Sequence, residues 1–331
     1  MEIKDKLISE LNRRYFPSRE ATLVVAVSGG VDSVGLLHIL LLLANQYDWN
    51  IIVAHFNHQL RKTSTKDADF VRKLAKGLGL EYVFSKASVA TLAKQEKLTI
   101  EEAGRKARYN FLNKIAQKNK AVIVTGHTAD DQIETVLMNW LRGGGVRALA
   151  GMHSFDSNIW RPLLAITKQQ IKDFAKAYRL DYVEDVTNQQ IKFKRNLIRH
   201  KIIPALRLAN PSFEQVVLRN TKVMASVEDF VNQETTKLYK KLSQSQKDVI
   251  WLDAKKLQRL PEFLRNEVIL FTIKQLQGHQ QDIKKIHLEE AQKIINSAQS
   301  GTWKQLPGKL FVSNRCGKIG FSRYRPKFIN Q

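Results

Sequence analysis

Among 331 residues there is a single cysteine, Cys316. That excludes a disulfide framework within the chain and any metal site built from several cysteines. Acidic residues are scarce beside basic ones. Asp and Glu number 31 against 54 Lys and Arg, giving a formal charge of +23 and a pI near 10.0. Such a surplus suits a polyanionic partner, nucleic acid first and an anionic membrane second. It suits a generally basic proteome or a solubility adaptation equally well. Long apolar runs are missing too. The longest, Leu36 to Ala44, contains His38 and is too short to span a bilayer. The opening stretch MEIKDKLISELNRRYF is charged and amphipathic, with Ile3, Leu7, Ile8 and Leu11 on one helical face, and has no signal-peptide core. The expectation is a cytoplasmic protein with no membrane partner. Tandem repeats and low-complexity segments are absent from the sequence.

What is present is a soluble globular composition, 43% hydrophobic and 26% charged, at a length that admits two or three domains. Four apolar strands are expected: TLVVAV (22–27), NIIVAHF (50–56), LEYVFS (80–85) and AVIVTG (121–126). Helical spacing fills the gaps between them. Strands that are continuously apolar rather than alternating imply burial on both faces, hence a doubly wound parallel sheet. Ligands of such sheets lie at the carboxyl ends of the strands. SGGVDS, HFNHQLR and GHTADDQIET follow the first, second and fourth strands, so three polar clusters share one edge. From Pro211 onward long helical stretches dominate, and GTWKQLPGKLFVSNRCGKIGFSR reads as a small β-meander. A boundary is expected near residue 212.

Each cluster has a chemical and a structural reading. In SGGVDS, glycines let the backbone approach a phosphate, and helix-start amides with the Ser28 and Ser33 hydroxyls can donate to it. Asp32 can hold Mg²⁺ that bridges phosphates. A Walker A loop would add a lysine, and none follows. The plainer reading is a strand–turn–helix joint. In GHTADDQIET, Asp131 and Glu134 share a helical face and suit Mg²⁺ or an amine; the same pair also reads as an N-cap with its capping-box partner. His127 either contacts a nucleotide or finishes the strand. His55 and His58 lack the companions a zinc site requires, which leaves Asn57 or Arg61 to touch a phosphate or ribose. Arg105 and Arg108, beside Glu101 and Glu102, form either surface pairs or an arginine directed at phosphate. Lys192, Lys194, Arg195, Arg199 and Lys201 come without an intervening acid, which suits an RNA backbone or a triphosphate, or a plain exposed face.

SGGVDS resembles the PP-loop of N-type ATP pyrophosphatases, a fold of the adenine nucleotide alpha hydrolase type. Such a loop grips departing pyrophosphate and needs no Walker lysine. The ordered set SGGVDS, HFNHQLR, EEAGRKARY, GHTADDQIET, RPLL and YVEDVTN…RNLIRH is similar to the tRNA(Ile)-lysidine synthetase family over roughly residues 20–205. Members often have Asp-Pro-Ser-Asn where this chain has Asp185-Val186-Thr187-Asn188, and longer members carry a further C-terminal domain. The resemblance implies a catalytic PP-loop domain over 1–211, then a helical segment with a small C-terminal α+β tRNA-binding domain over 212–331. It implies adenylylation of the wobble cytidine of a CAU-anticodon isoleucine tRNA by ATP with Mg²⁺, then attack by free lysine, with a homodimer left open. Asp131 and Glu134 would receive lysine; Arg108 and Arg195 would stabilise phosphate charge. Ser28, Gly29, Gly30, Val31, Asp32, Ser33, His55 and His127 would hold the nucleotide, Asp32 also the metal. PP-loop tRNA thiolases handle sulfur through cysteines or an iron–sulfur cluster, for which Cys316 is a poor candidate. NAD and GMP synthetases leave the charge and RNLIRH unexplained. A basic RNA-binding protein without activity remains a further reading.

Overall fold

A computed structural model describes residues 15–59, 64–184, 194–246, 248–278 and 283–326, together with Asp5, Ile8, Ser9 and Leu11. It comprises two compact units, Met1–Ala225 and Ser226–Gln331. The division falls inside one helix, Phe213–Leu242, later than the boundary near residue 212 expected from composition. That helix runs without a break in its amphipathic spacing, so local composition has nothing to mark there.

The first unit is built on a six-stranded sheet. Its strands are β1 (Thr22–Ala26), β2 (Asn50–Asn57), β3 (Glu81–Lys86), β4 (Val122–Thr125), β5 (Phe155–Asp156) and β6 (Ile159–Trp160), in the order β3-β2-β1-β4-β6-β5. All pairings are parallel except β5 with β6. Alternate residues of each strand enter two cores. Leu23, Val25, Ile51, Val53 and Val124 pack on one face against α1 (Val31–Tyr47), α2 (Ser64–Gly77) and the later helix Lys168–Ala177. Val24, Ile52 and Ile123 pack on the other against the helix Ile100–Asn119, through Leu112, Ile115 and Ala116. Burial on both faces explains the continuous apolar runs. The chain leaves β1 toward β2 on one side, and β4 lies on the other, so a topological switch point sits between β1 and β4. The β5–β6 hairpin turns through Ser157 and Asn158 at φ 49 and 72, and β6 supplies a fifth parallel strand. It was absent from the expected strands because two residues carry no periodicity.

In the second unit the strands are β7 (Ser243–Gln246), β8 (Val249–Asp253), β9 (Trp303–Leu306), β10 (Leu310–Arg315) and β11 (Lys318–Ser322), all antiparallel in the order β7-β8-β11-β10-β9. One face alone carries the core. Ile250, Leu252, Leu306, Leu310, Val312, Ile319 and Phe321 pack on the helices Glu262–Gln277 and Lys285–Asn296. The meander expected from the tail is therefore the larger part of a five-stranded sheet, completed by β7 and β8 from a stretch with little apolar alternation on its first strand.

Candidate active site

At the carboxyl end of β1 the backbone turns through Gly29 at φ +97, a conformation that L side chains rarely adopt. A Cβ there would make only ordinary contacts with Phe70, Val71 and Val183, so the backbone conformation is what calls for glycine. The Ser33 hydroxyl donates to the Gly30 carbonyl at 2.9 Å and accepts from the Ser28 amide at 3.1 Å, closing the loop on itself. Helix α1 begins at Val31 with Gly30 as a cap that offers no side chain, so its first amides are free of a side-chain acceptor. An anion is stabilised there by unpaired N–H groups and the helix dipole. Gly126, after β4, lies against the start of α1. A Cβ on it would stand 3.1 Å from the Asp32 carbonyl oxygen. The two strands at the switch point therefore place their loops in contact.

Helix α3 (Ala129–Leu141) leaves the β4 loop with Asp131 and Glu134 on one side. The capping arrangement differs from the one expected. Thr128 stands at the cap, and Asp131 is its partner three residues on, accepting from the Thr128 amide at 2.9 Å. The second Asp131 oxygen accepts from Arg195 Nη2 at 2.6 Å. Glu134, with a side chain only 1% exposed, accepts from Arg195 Nε at 2.6 Å and from both Arg199 Nε and Arg199 Nη2. Two residues four apart reach one carboxylate because Lys194–Leu197 runs as a helix into a π-helical turn, Ile198–Ile202. Ile198 and Ile203 fasten that turn to Ile133 and Leu137 of α3.

Burial works to raise the Asp131 pKa, but Arg195 and the Thr128 amide outweigh it and hold the carboxyl below its ordinary value. Burial likewise opposes the charge on Arg195, and Asp131 and Glu134 reverse that, leaving its pKa above the ordinary value. Asp32 is different. Desolvation pushes its carboxyl up, Lys168 draws it down through a contact of 3.3 Å, and Asp131 and Asp130 push it up again. Asp32 Oδ1 is buried without a hydrogen-bond partner. An acceptor-only atom in that state is completed by a cation, so the residue fits a metal. Among the described residues no group of three or more His, Cys, Asp or Glu is arranged to hold one. Further ligands for a metal on Asp32 would thus come from phosphate oxygens or water. Asp32, Lys168, Asp130, Asp131, Glu134 and Arg199 line a cavity of about 250 Å³.

Residues 3–206 match the PP-loop domain family. A tRNA(Ile)-lysidine synthase of Clostridium tetani is 31% identical over 327 residues, covering 95% of this chain and 68% of that protein. The chain belongs to this PP-loop family of tRNA(Ile)-lysidine synthases. A second member, from Thermosipho africanus, is 39% identical over 232 residues, covering 70% of this chain and 54% of that protein. The chain thus spans between about half and two thirds of the length of these relatives. Among solved structures, the U34-tRNA thiolase NcsA from Methanococcus maripaludis with its [4Fe-4S] cluster has the same fold, with a TM-score of 0.55 at 20% identity, over 68% of this chain and 78% of that one.

Asp32 of the PP-loop lines the same cavity as Asp131 and Glu134, the two carboxylates that Arg195 pairs with. Arg108 and His127 adjoin the cluster. Burial first, then Arg108, depress the His127 pKa to about 3, so the imidazole is neutral near pH 7. Its Nδ1 shares a hydrogen bond of 2.9 Å with the Thr125 hydroxyl. Arg108 Nε is buried without a hydrogen-bond partner, and its guanidinium lies 5.2 Å from the Tyr109 ring centre. His55 is turned inward, 3% exposed, donating from Nδ1 to the Val27 carbonyl at 2.8 Å; burial lowers its pKa. It braces the loop rather than facing the cavity. Asn57, read from sequence as a phosphate or ribose contact, spends its side chain on the Ser64 carbonyl and the Gln59 amide. Arg61, Lys192, the Lys194 side chain and Asp185–Asn188 lie outside the described residues. Sequence reasoning missed Lys168 and Asp130. Asp130 accepts from the Lys168 amide at 2.7 Å and so ties two helix starts together. Nothing local distinguishes Lys168 from Lys172 or Lys176 on the same helix.

Proposed function

We propose that the protein ligates free L-lysine to C2 of the wobble cytidine of a CAU-anticodon isoleucine tRNA, consuming ATP and releasing AMP and pyrophosphate. The observation that carries this reading is the junction of the PP-loop with the Asp131–Glu134–Arg195–Arg199 cluster at one switch point, in a chain of this family. In the first step the C2 carbonyl oxygen of the base attacks the α-phosphorus of ATP and pyrophosphate departs. The α1 amides and the Ser28 hydroxyl receive the departing phosphates. Mg²⁺, held by Asp32 with phosphate oxygens, would neutralise charge on them. Arg108 and Arg195 provide positive charge beside the reacting phosphate. In the second step the lysine amine attacks C2 and AMP leaves with its electron pair. AMP is a far better leaving group than a carbonyl oxygen, so activation of the base splits one difficult displacement into two.

Asp131 and Glu134 divide the work. Asp131 is the more exposed, at 18% of its side chain, and borders the cavity, which suits it to receive a cationic substrate. Glu134 is saturated by two arginines and acts as a positioning residue that holds Arg195 and Arg199 in place. His127, neutral and depressed far below pH 7, serves as a hydrogen-bonding partner and not as the proton acceptor for the amine. The cytoplasmic setting belongs to the same reading; among the described residues no helix is long and apolar enough to cross a membrane. Labelled ATP tests the first step. Incubation with the tRNA should yield AMP and pyrophosphate in equal amounts; ADP with orthophosphate would overturn the assignment.

A further inference from the structure

In the C-terminal sheet the face opposite the core carries a rung that crosses all five strands and holds both tryptophans of the sheet. Register places Gln244, Trp251, Gly320, Ser313 and Trp303 side by side along it. Adjacent strands stand about 4.8 Å apart, so the two tryptophans are anchored roughly 14 Å apart at the backbone. Between them are the two smallest side chains of the rung. The Trp251 ring lies over Gly320 so closely that a Cβ there would meet Cζ3 at 2.7 Å. At the other end Trp303 packs against Phe311 with ring centres 5.7 Å apart. Arg325 stacks its guanidinium 4.6 Å from the Trp303 ring centre. All three aromatic side chains are part-exposed. Arg315, Lys318 and Asp253 occupy the next rung on the same face, two cations beside one carboxylate. No acidic residue follows Glu290 in the sequence, although six basic ones lie between Lys304 and Arg325.

We infer that this face is a stacking platform for unpaired bases of RNA, with Arg315, Lys318 and Arg325 paired to the flanking phosphates. Nucleic acid alternates a flat apolar surface with a negative charge, and this face alternates part-exposed rings with cations. Antiparallel sheets with aromatic residues on an open face bind single strands in this way, because every base has a π-surface. A duplex keeps its bases stacked on each other and offers the rings nothing. The basic excess of the face repels a second basic surface of the same chain. The inference rests on the RNA-modifying reading for its biological ligand, but the platform itself can be tested without any turnover.

The test uses the full chain and an unstructured oligouridine carrying one 5-iodouridine. On irradiation the wild-type protein should cross-link through Trp251, Trp303 or Phe311, located by mass spectrometry of the peptides. Trp303→Leu and Arg325→Gln should each weaken oligouridine binding roughly tenfold, about the loss expected for one stacked base. Binding of a fully paired RNA should change little. Cross-links confined to the first unit, or unchanged oligouridine affinity in both variants, overturn the inference. So does a wild-type dimer that Trp303→Leu dissociates, since a second copy then covers the face. Because Arg325 is exposed and lies on the outside of the Trp303 ring, Arg325→Gln decides the matter should Trp303→Leu fold poorly. If lysidine forms at full rate while the platform is silent, this inference alone falls; if oligouridine cross-links here but no lysidine forms, the platform stands and the ligase reading falls.

Discussion

The two sheets dispose of their faces in opposite ways. In the first unit, Leu23 and Val25 enter one core and Val24 the other, so neither face of the parallel sheet is open. Chemistry is left to the edge, where the loops after β1 and β4 meet across Gly126. In the second unit the core takes one face, and the other displays Trp251, Trp303 and Phe311. Parallel pairing with crossover helices produces an edge site, and antiparallel hairpins leave a face site. One demands close backbone approach and buried ion pairs; the other asks only for flat surface and charge. Substitutions in the two places should therefore fail differently.

The largest effects are expected at the edge. Glu134→Gln leaves Arg195 and Arg199 around a neutral amide, which should destabilise the first unit by about 3–5 kcal/mol. Asp131→Asn should keep the fold but cut product formation by at least ~100-fold, since Asn retains an acceptor for the Thr128 amide and loses the charge. Thermal unfolding and single-turnover rates separate the two. Equal melting temperatures for both variants would erase the distinction drawn between a positioning and a substrate-facing carboxylate.

The next effect is on pH. His127 has a depressed folded pKa, so between pH 6.5 and 3 the unfolded chain takes up a proton that the folded chain does not. Stability should fall as pH drops through that window. His127→Asn should remove about 1–2 kcal/mol of the fall by pH 5, allowing for its partial exposure. Denaturant titrations at pH 7.5 and 5 measure it; identical pH slopes in both proteins would mean that the imidazole is not held neutral. The smallest effects compare two glycines. Gly126→Ala puts a Cβ against the Asp32 carbonyl and should raise the ATP KM about tenfold with oligouridine binding intact. Gly320→Ala pushes on the Trp251 ring and should weaken oligouridine binding severalfold with the ATP KM intact. Effects that cross over would show that edge and face are not separable.

Much of the edge site was legible in sequence because its signals are local. Continuous β-branched runs marked β1, β2 and β4, and SGGVDS announced its turn through two adjacent glycines. The role of Glu134 was not legible. Its spacing from Asp131 is that of any helix face, and its burial depends on Arg199 arriving from a π-helical turn far along the chain. Lys168 was hidden for the same reason, being one lysine of several on its helix until the fold sets it against Asp32. The platform escaped notice because Trp251 and Trp303 are brought onto one rung by strand register, which composition does not record.

The central claim is that edge chemistry joins lysine to a tRNA base. Mass spectrometry of nucleosides from CAU-anticodon isoleucine tRNA, after incubation with the protein, ATP, Mg²⁺ and isotopically labelled lysine, tests it directly. Labelled lysidine is expected in place of the wobble cytidine, with one AMP and one pyrophosphate for each residue modified. Recovery of unmodified cytidine, or of a thiolated nucleoside without incorporated lysine, would contradict it.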